Sequence, residues 1–417
     1  MGDWRNYSLN QFADVLDSFR IPVNEEERTK NPGETPYYGA NGLQGYISGW
    51  LFDEPLILIA EDGGYFDEYS TRPVAYKIEG KSWVNNHAHI LRPKEEFDFN
   101  FVFYSLQHKN ITPFIKGGTR AKLNQKELRE IEIFSPVEKR HQQKIANILQ
   151  TIDRAIEHTE ALIDKYQQIK AGLMHDLFTR GIGPNGQLRP PRDHAPELYQ
   201  QTPIGWIPKE WEPINLGKYI ESNLYGPRFD ARDYDESGNV KTIRGTDFSK
   251  DGGIIYSQVP VARLPMQKIS RHILKTGDVV VVTTADCGLT AVFEEQEFYF
   301  IPSAYAVKYR FSDNVSPHFI KYFMQTSIAK RQVSKYVRQG TLGNLPGSDL
   351  LRFHVGLANS HEQKAIVKRL DAVHEKIVAE QKKLDKLDKQ KSGLMHDLLT
   401  GKVPVTGDAA APEAAHG

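Results

Sequence analysis

The chain has 417 residues, 39% of them hydrophobic and 25% charged, which excludes an unfolded polymer and points to two or more separately cored domains. Lys plus Arg and Asp plus Glu balance at 53 each, so the overall charge does not mark a polyanion binder. The lone cysteine, Cys287, excludes a disulfide framework and suits a reducing, cytoplasmic setting. The first residues offer no basic-then-apolar leader and no run of 18 apolar residues occurs, so neither a signal peptide nor a membrane span is expected.

In chain order, residues 1–135 mix strand-like runs with turns, and PLILIAEDGGYF (Pro55–Phe66) predicts a strand closing on a Glu-Asp-Gly-Gly hairpin. GKS at Gly80–Ser82 has Ala75 where a phosphate loop needs its first glycine. His87 and His89 alternate on one strand face, and with no cysteine or acid cluster joining them they read as a sheet-face pair, not a metal site. Lys109–Lys126 carries Lys109, Lys116, Arg120, Lys122 and Lys126 around Gly117, Gly118 and Thr119, without one acid. Residues 136–180 predict a long helix whose seam steps by four and three through Ile145, Leu149, Ile152, Ile156, Thr159, Ile163 and Tyr166. Residues 181–204, rich in Pro and Gly, predict an ordered-to-extended linker.

Residues 205–357 predict a second α+β domain, with a strand-and-turn run at GDVVVVTTADCGLTAVF and a helix capped by Ser316 with Pro317 in its first turn. A second acid-free stretch, Lys321–Gly340, holds Lys330, Arg331, Lys335 and Arg338 and runs into Gly340-Thr341. Residues 358–400 predict a second long helix on the seam Ile366, Leu370, Val373, Ile377, Glu380, Leu384 and Leu387, and residues 401–417 a flexible tail. Cys287, without a partner histidine motif, reads as a core or strand residue.

Two words organise the whole: GLMHDLFTRG at Gly172–Gly181 returns as GLMHDLLTGK at Gly393–Lys402. Without a gap, Gln142 aligns with Gln363, Ile145 with Ile366, Leu149 with Leu370 and Ile156 with Ile377. One residue out of phase, Gly118-Thr119 aligns with Gly340-Thr341 and Leu123 with Leu345. A period near 200 residues is a domain duplication, not a solenoid. The fold class expected is therefore α+β, two globular domains separated by two long helices that pair as an antiparallel coiled coil, with an internal pseudo-two-fold. Each GLMHD should pack on the other copy's domain, with Gly172 and Gly393 permitting close approach and Gly181 and Gly401 ending the helices. His175 and His396 read as packing and capping residues, and the polar rungs Thr159 and Glu380 as register devices.

As an ordered set, PYYGANGLQGYI, LFDEPLILIAEDGGYF, WVNNHAHIL, GGTRAKLNQKELREIEIFSP leading into HQQKIANIL, and the repeated GLMHDL-T resemble the specificity subunits of type I restriction-modification enzymes. The resemblance implies two target recognition domains, each reading one half of a split double-stranded DNA sequence. It implies no catalysis and no cofactor in this chain, methylation coming from methyltransferase subunits, two of them, and cleavage from motor-nuclease subunits, with S-adenosylmethionine, ATP and Mg used by these partner subunits. No nucleotide or methyltransferase motif survives inspection, and no metal is expected. Residues 116–120, Lys122, Lys330, Arg331, Lys335, Arg338, Gly340 and Thr341 are the candidate DNA contacts. The first domain nonetheless has 15 Lys and Arg in residues 1–134 against 20 Asp and Glu, so its affinity must lean on a local patch or on partners. The rival reading is a coiled-coil protein scaffold without DNA specificity, which leaves the acid-free stretches unexplained. From Ile145 to Tyr166 the seam rises about 32 Å, near the roughly 34 Å of one DNA turn, which suggests the helices as a ruler.

Overall fold

The computed structural model describes residues 3–117, 121–249 and 251–405; Gly118, Thr119 and Arg120 of the candidate contacts and residues 406–417 of the tail lie outside them. The chain divides into two compact units, one drawn from residues 1–161 and 381–417, the other from residues 162–380. Both boundaries fall inside the long helices, Lys139–Thr179 and Ser360–Leu399, which are continuous across them.

In unit 1 the strands are β1 (Trp4–Ser8), β2 (Ala13–Val15), β3 (Thr35–Gly39), β4 (Gly42–Ile47), β5 (Phe52–Asp53), β6 (Leu56–Ala60), β7 (Ala75–Ile78), β8 (Lys81–Val84), β9 (Ala88–Pro93) and β10 (Glu132–Pro136). They form sheets in the orders β2-β9-β6-β7, β4-β3-β8-β5 and β1-β10. β6, Leu-Ile-Leu-Ile-Ala, is buried along its whole length, as a continuous apolar run in a covered sheet should be. The expected hairpin at Glu61–Gly64 is not one: β6 pairs antiparallel with β7 across a longer excursion, because Glu61 and Asp62 are engaged elsewhere. GKS opens β8 and so cannot cradle a phosphate. Helix α1 (Phe99–Gln107), capped by the Asp98 carboxylate, buries Phe101, Val102, Phe103, Tyr104 and Leu106.

Unit 2 repeats this plan. Its strands are β11 (Tyr199–Thr202), β12 (Gly205–Pro208), β13 (Glu212–Asn215), β14 (Ile220–Tyr225), β15 (Val240–Ile243), β16 (Val261–Ala262), β17 (Val279–Val282), β18 (Thr290–Val292), β19 (Phe300–Pro302), β20 (Ala306–Phe311) and β21 (His354–Leu357). The order β14-β20-β17-β18 matches β2-β9-β6-β7, β16-β15-β19 matches the second sheet less one strand, and β13-β21 matches β1-β10. Helix α2 (Pro317–Gln325) starts on Ser316, whose hydroxyl accepts from the Phe319 amide, as the sequence predicts. Helix α3 (Ser327–Tyr336) follows it.

Each long helix is anchored in both units. In unit 1, Ile145 and Leu149 share a core with Leu398, while Asp153 meets Lys391 at 2.8 Å. In unit 2, Met174, Leu177 and Phe178 share a core with Ile366 and Leu370, and the Lys376 ammonium lies over the Tyr166 ring. Within each unit the numbering falls along one helix as it rises along the other, so the pairing is antiparallel. Each GLMHD word thus packs on the domain of the other copy. A matched bond fixes each anchor: Tyr104 donates to Asp153 at 2.6 Å in unit 1, and Tyr322 to Asp371 at 2.5 Å in unit 2.

Several local expectations need correcting. A methyl group added at Gly172 or Gly393 would meet nothing within 4 Å, so these glycines do not serve close approach. Gly181 and Gly401 do end the helices, with φ of 64° and 70° in the left-handed region where glycine is unhindered. His175 and His396 are exposed, and leucine, methionine and phenylalanine do the packing. Ile145, Leu149, Ile152, Ile163, Ile366, Leu370 and Ile377 are buried, whereas Ile156, Val373 and Leu384 are only half-buried. Thr159 is buried but satisfies its hydroxyl on the Ala155 carbonyl of its own helix, so it imposes no register across the seam. The linker folds onto unit 2: β11 pairs with β12, Ile182 is buried, and Arg189 is buried against Glu362.

Candidate nucleic-acid interface

The two acid-free stretches lead to one structural element, built once in each unit. In unit 1, Lys116 and Lys122 exchange both backbone hydrogen bonds at 2.8 Å, closing a short hairpin. Asp62 bridges to Lys122, the Leu123 amide donates to the Glu61 carbonyl, and the Glu61 amide to the His87 carbonyl. In unit 2, Arg338 and Asn344 exchange bonds of 2.9 and 3.1 Å, Thr284 bridges to Asn344, the Leu345 amide donates to the Thr283 carbonyl, and the Thr283 amide to Tyr305. Hairpin, post-strand loop and pre-strand turn therefore meet in a three-loop corner, identical in backbone wiring and different in side chains.

The unit 1 corner is a charged bracket. His89, buried, faces Asp17 through Nδ1 at 2.6 Å and the Leu123 carbonyl through Nε2 at 2.8 Å. Both partners are acceptors, so the ring satisfies both only when it carries both protons. Arg20 donates to Glu61 at 2.6 Å, Lys122 reaches the same carboxylate at 2.9 Å, and His87 meets Asp62 at 2.7 Å. Acids thus join both histidines, contrary to the expectation from spacing. Asp17, Glu61 and His89 bring ligand atoms within 4.8 Å of one another, but Arg20 and Lys122 already sit on those carboxylates. Chain cations supply the neutralising charge that a metal would bring, and the cluster braces the hairpin. Lys116 and Gly117 are exposed; Lys122 is held by Glu61, half-exposed.

Burial alone would raise the Asp17 and Glu61 carboxyls. The His89 bond on Asp17, and the Arg20 and Lys122 bonds on Glu61, outweigh it and hold both below their ordinary values. A depressed folded-state value contributes stability above the unfolded value, about 3.9 for Asp and 4.3 for Glu, and that contribution is lost as pH falls through the folded values. Amide exchange in β9 should therefore accelerate as pH drops below about 4, after correction for intrinsic rates, and Asp17→Asn should flatten the dependence. An unchanged profile in Asp17→Asn would remove this carboxylate from the bracket.

The unit 2 corner is mainly apolar and cationic, although its post-strand loop also exposes Asp286. Lys330, Arg331, Lys335, Arg338, Gly340 and Thr341 are all exposed, while Ile328 and Ala329 bury the opposite face of α3. The Arg338 guanidinium lies 4.0 Å from Asp349, on a side chain 74% exposed. Lys321, from the same acid-free stretch, is instead only half-exposed, its ammonium lying over the Tyr322 ring within the field of Asp371 and Asp251. Cys287 is not in a strand: it sits half-buried in the post-strand loop, packs against the edge of the unit 2 core and donates to the Thr283 carbonyl at 3.1 Å. Sequence reasoning missed Asp17, Arg20, Glu61, Tyr305 and Leu342; aligning the loop after LILIA with the loop after VVVV would have found Glu61.

The type I restriction modification DNA specificity domain model matches residues 1–168 and again 208–389, most of the chain and once per copy. The chain belongs to this family. As a type I specificity subunit it carries two such domains, in keeping with the two corners. It is 26% identical over 321 residues to the MjaVIII type I restriction enzyme specificity subunit of Methanocaldococcus jannaschii, covering 73% of this chain and 70% of that one. A Haemophilus influenzae protein of the same kind is 36% identical over 135 residues, 32% of this chain and about a third (33%) of that protein's length. The crystal structure of a type I restriction-modification S subunit from M. genitalium shares the fold, with TM-score 0.61 at 16% identity over 95% of this chain and 96% of that one. No helix among the described residues of the specificity subunit is long and apolar enough to cross a membrane.

Proposed function

We propose that each unit of this specificity subunit reads one half of a split double-stranded DNA target through its three-loop corner, and that the long helices set the spacer between the halves. The observation that supports this reading is the doubled corner: one backbone scaffold displays a charged bracket in unit 1 and exposed apolar and cationic groups in unit 2, as two unlike half-sites require. Exposed cations on α3 and the hairpins would position the backbone, and loop side chains would read base edges. The chain itself transfers no methyl group and cuts no DNA. Two methyltransferase subunits using S-adenosylmethionine, and motor-nuclease subunits using ATP and Mg, would act where it directs them.

Exchanging residues 205–357 for the matching domain of another specificity subunit tests this. Mapped by methylome sequencing with partner methyltransferase present, the methylated target should change in one half and keep the other. A chimaera that altered both halves, or neither, would defeat the modular reading.

A further inference from the structure

Among the described residues, Tyr305 at 64% and Leu342 at 62% exposure are, with Phe19, the most exposed large apolar side chains in the protein, and both belong to the unit 2 corner. Leu342 stands in the hairpin between Arg338 and Asn344, preceded by Gly340-Thr341 and followed by Gly343. The hairpin is not a loose tip. The Ala285 amide donates to the Gly343 carbonyl at 3.0 Å, and Ala285 has φ of 63°, the only positive φ outside glycine among the described residues. A side chain kept in that sparsely populated region marks a loop over-determined by its surroundings. Behind it, Gly288 passes so close to α3 that an added methyl would lie 2.7 Å from Val333. The loop is thereby fixed to the helix that exposes Lys330, Arg331 and Lys335.

A rigidly held apolar pair beside exposed cations suits a nucleic acid, whose phosphates meet the cations and whose bases offer the only apolar surface within the grooves. Resting on the DNA-reading assignment above, we propose that Leu342 and Tyr305 make the apolar base contact by which unit 2 recognises its half-site. The aligned residues in the first copy are Arg120 and His87, a donor and a polar ring, so the same positions would ask for different chemistry in the other half. The base surface available to Leu342 is either a thymine methyl or the face of a partly opened step.

The test uses the full chain with its methyltransferase partner and the duplex target found by methylome mapping. Leu342→Ala and Tyr305→Ala should each lower the ratio of target to competitor binding about tenfold, with the salt slope unchanged, and Leu342→Met should restore most of it. Lys335→Gln should instead lower the salt slope by about one with the ratio intact. Replacing single thymines by uracil in the unit 2 half-site, and placing 2-aminopurine there, separates the two sources. A uracil-sensitive position whose loss is not additive with Leu342→Ala identifies the methyl, and brightened 2-aminopurine identifies the opened step. If both alanine variants keep the wild-type ratio, this inference fails while the DNA-reading assignment stands. If the wild-type complex itself discriminates no duplex, the assignment fails first.

Discussion

Glu362→Gln is expected to destabilise unit 2 by about 3 kcal/mol, the low end for breaking a buried ion pair by removing one partner. Arg189 and Glu362 have side chains 6% and 4% exposed, joined at 2.6 Å, and the same Glu362 oxygen accepts from the Ile182 amide at 2.6 Å. Losing the carboxylate charge leaves a guanidinium out of water to which, besides the Arg180 carbonyl, the exposed Glu210 carboxylate still offers a partner. That residual partner is why the low end is expected. Gly181 closes the same knot: a methyl there would lie 2.3 Å from Glu362 and 2.5 Å from Trp211. Urea unfolding followed by exchange of amides in β13 and β21 checks the figure. A loss below about 1 kcal/mol would mean that the pair is solvated in solution.

Removing seven residues from the middle of each long helix should abolish specific binding to the original target. Seven residues are two turns, so the apolar seam keeps its phase while each helix shortens by about 10 Å. At about 3.4 Å per base pair the spacer would contract by roughly three pairs and one half-site would turn by roughly 100° around the duplex. Affinity for the original spacing should fall toward the non-specific level, about a thousandfold or more. Circular dichroism must first show the helices retained. A folded variant that still bound the original spacing at wild-type affinity would show that the helices are not the ruler.

Periodicity and internal repetition are translationally robust signals, and they carried the reading far: the doubled GLMHD words, the helix seams and the Ser316 cap all emerge from spacing alone. What spacing could not show depends on three-dimensional convergence. Asp17 is 72 positions from His89, and nothing in the sequence pairs them. Acid-free runs were a fair guide to exposure on α3, where helical geometry turns Lys330, Arg331 and Lys335 outward. They misled at Lys321, half-exposed on α2 with its ammonium over the Tyr322 ring, and at Lys122, where Glu61 arrives from the loop after β6. Gly172 and Gly393 show the same limit from the other side, since a repeated glycine need not be a contact.

Unit 1 is closed by chain that lies more than 200 residues beyond its last strand: Leu398 is in its core, and Leu394, Met395, Leu399 and Val405 pack against that core. Unit 2 occupies the interior of the sequence, residues 162–380, and has everything it needs earlier. On the ribosome, therefore, the domain made first is the one finished last. It must wait, with an apolar cleft open, until the final turns of the second helix emerge, and such exposed intermediates are where aggregation and chaperone capture occur. A premature stop near residue 390 would spare unit 2 and leave unit 1 incomplete.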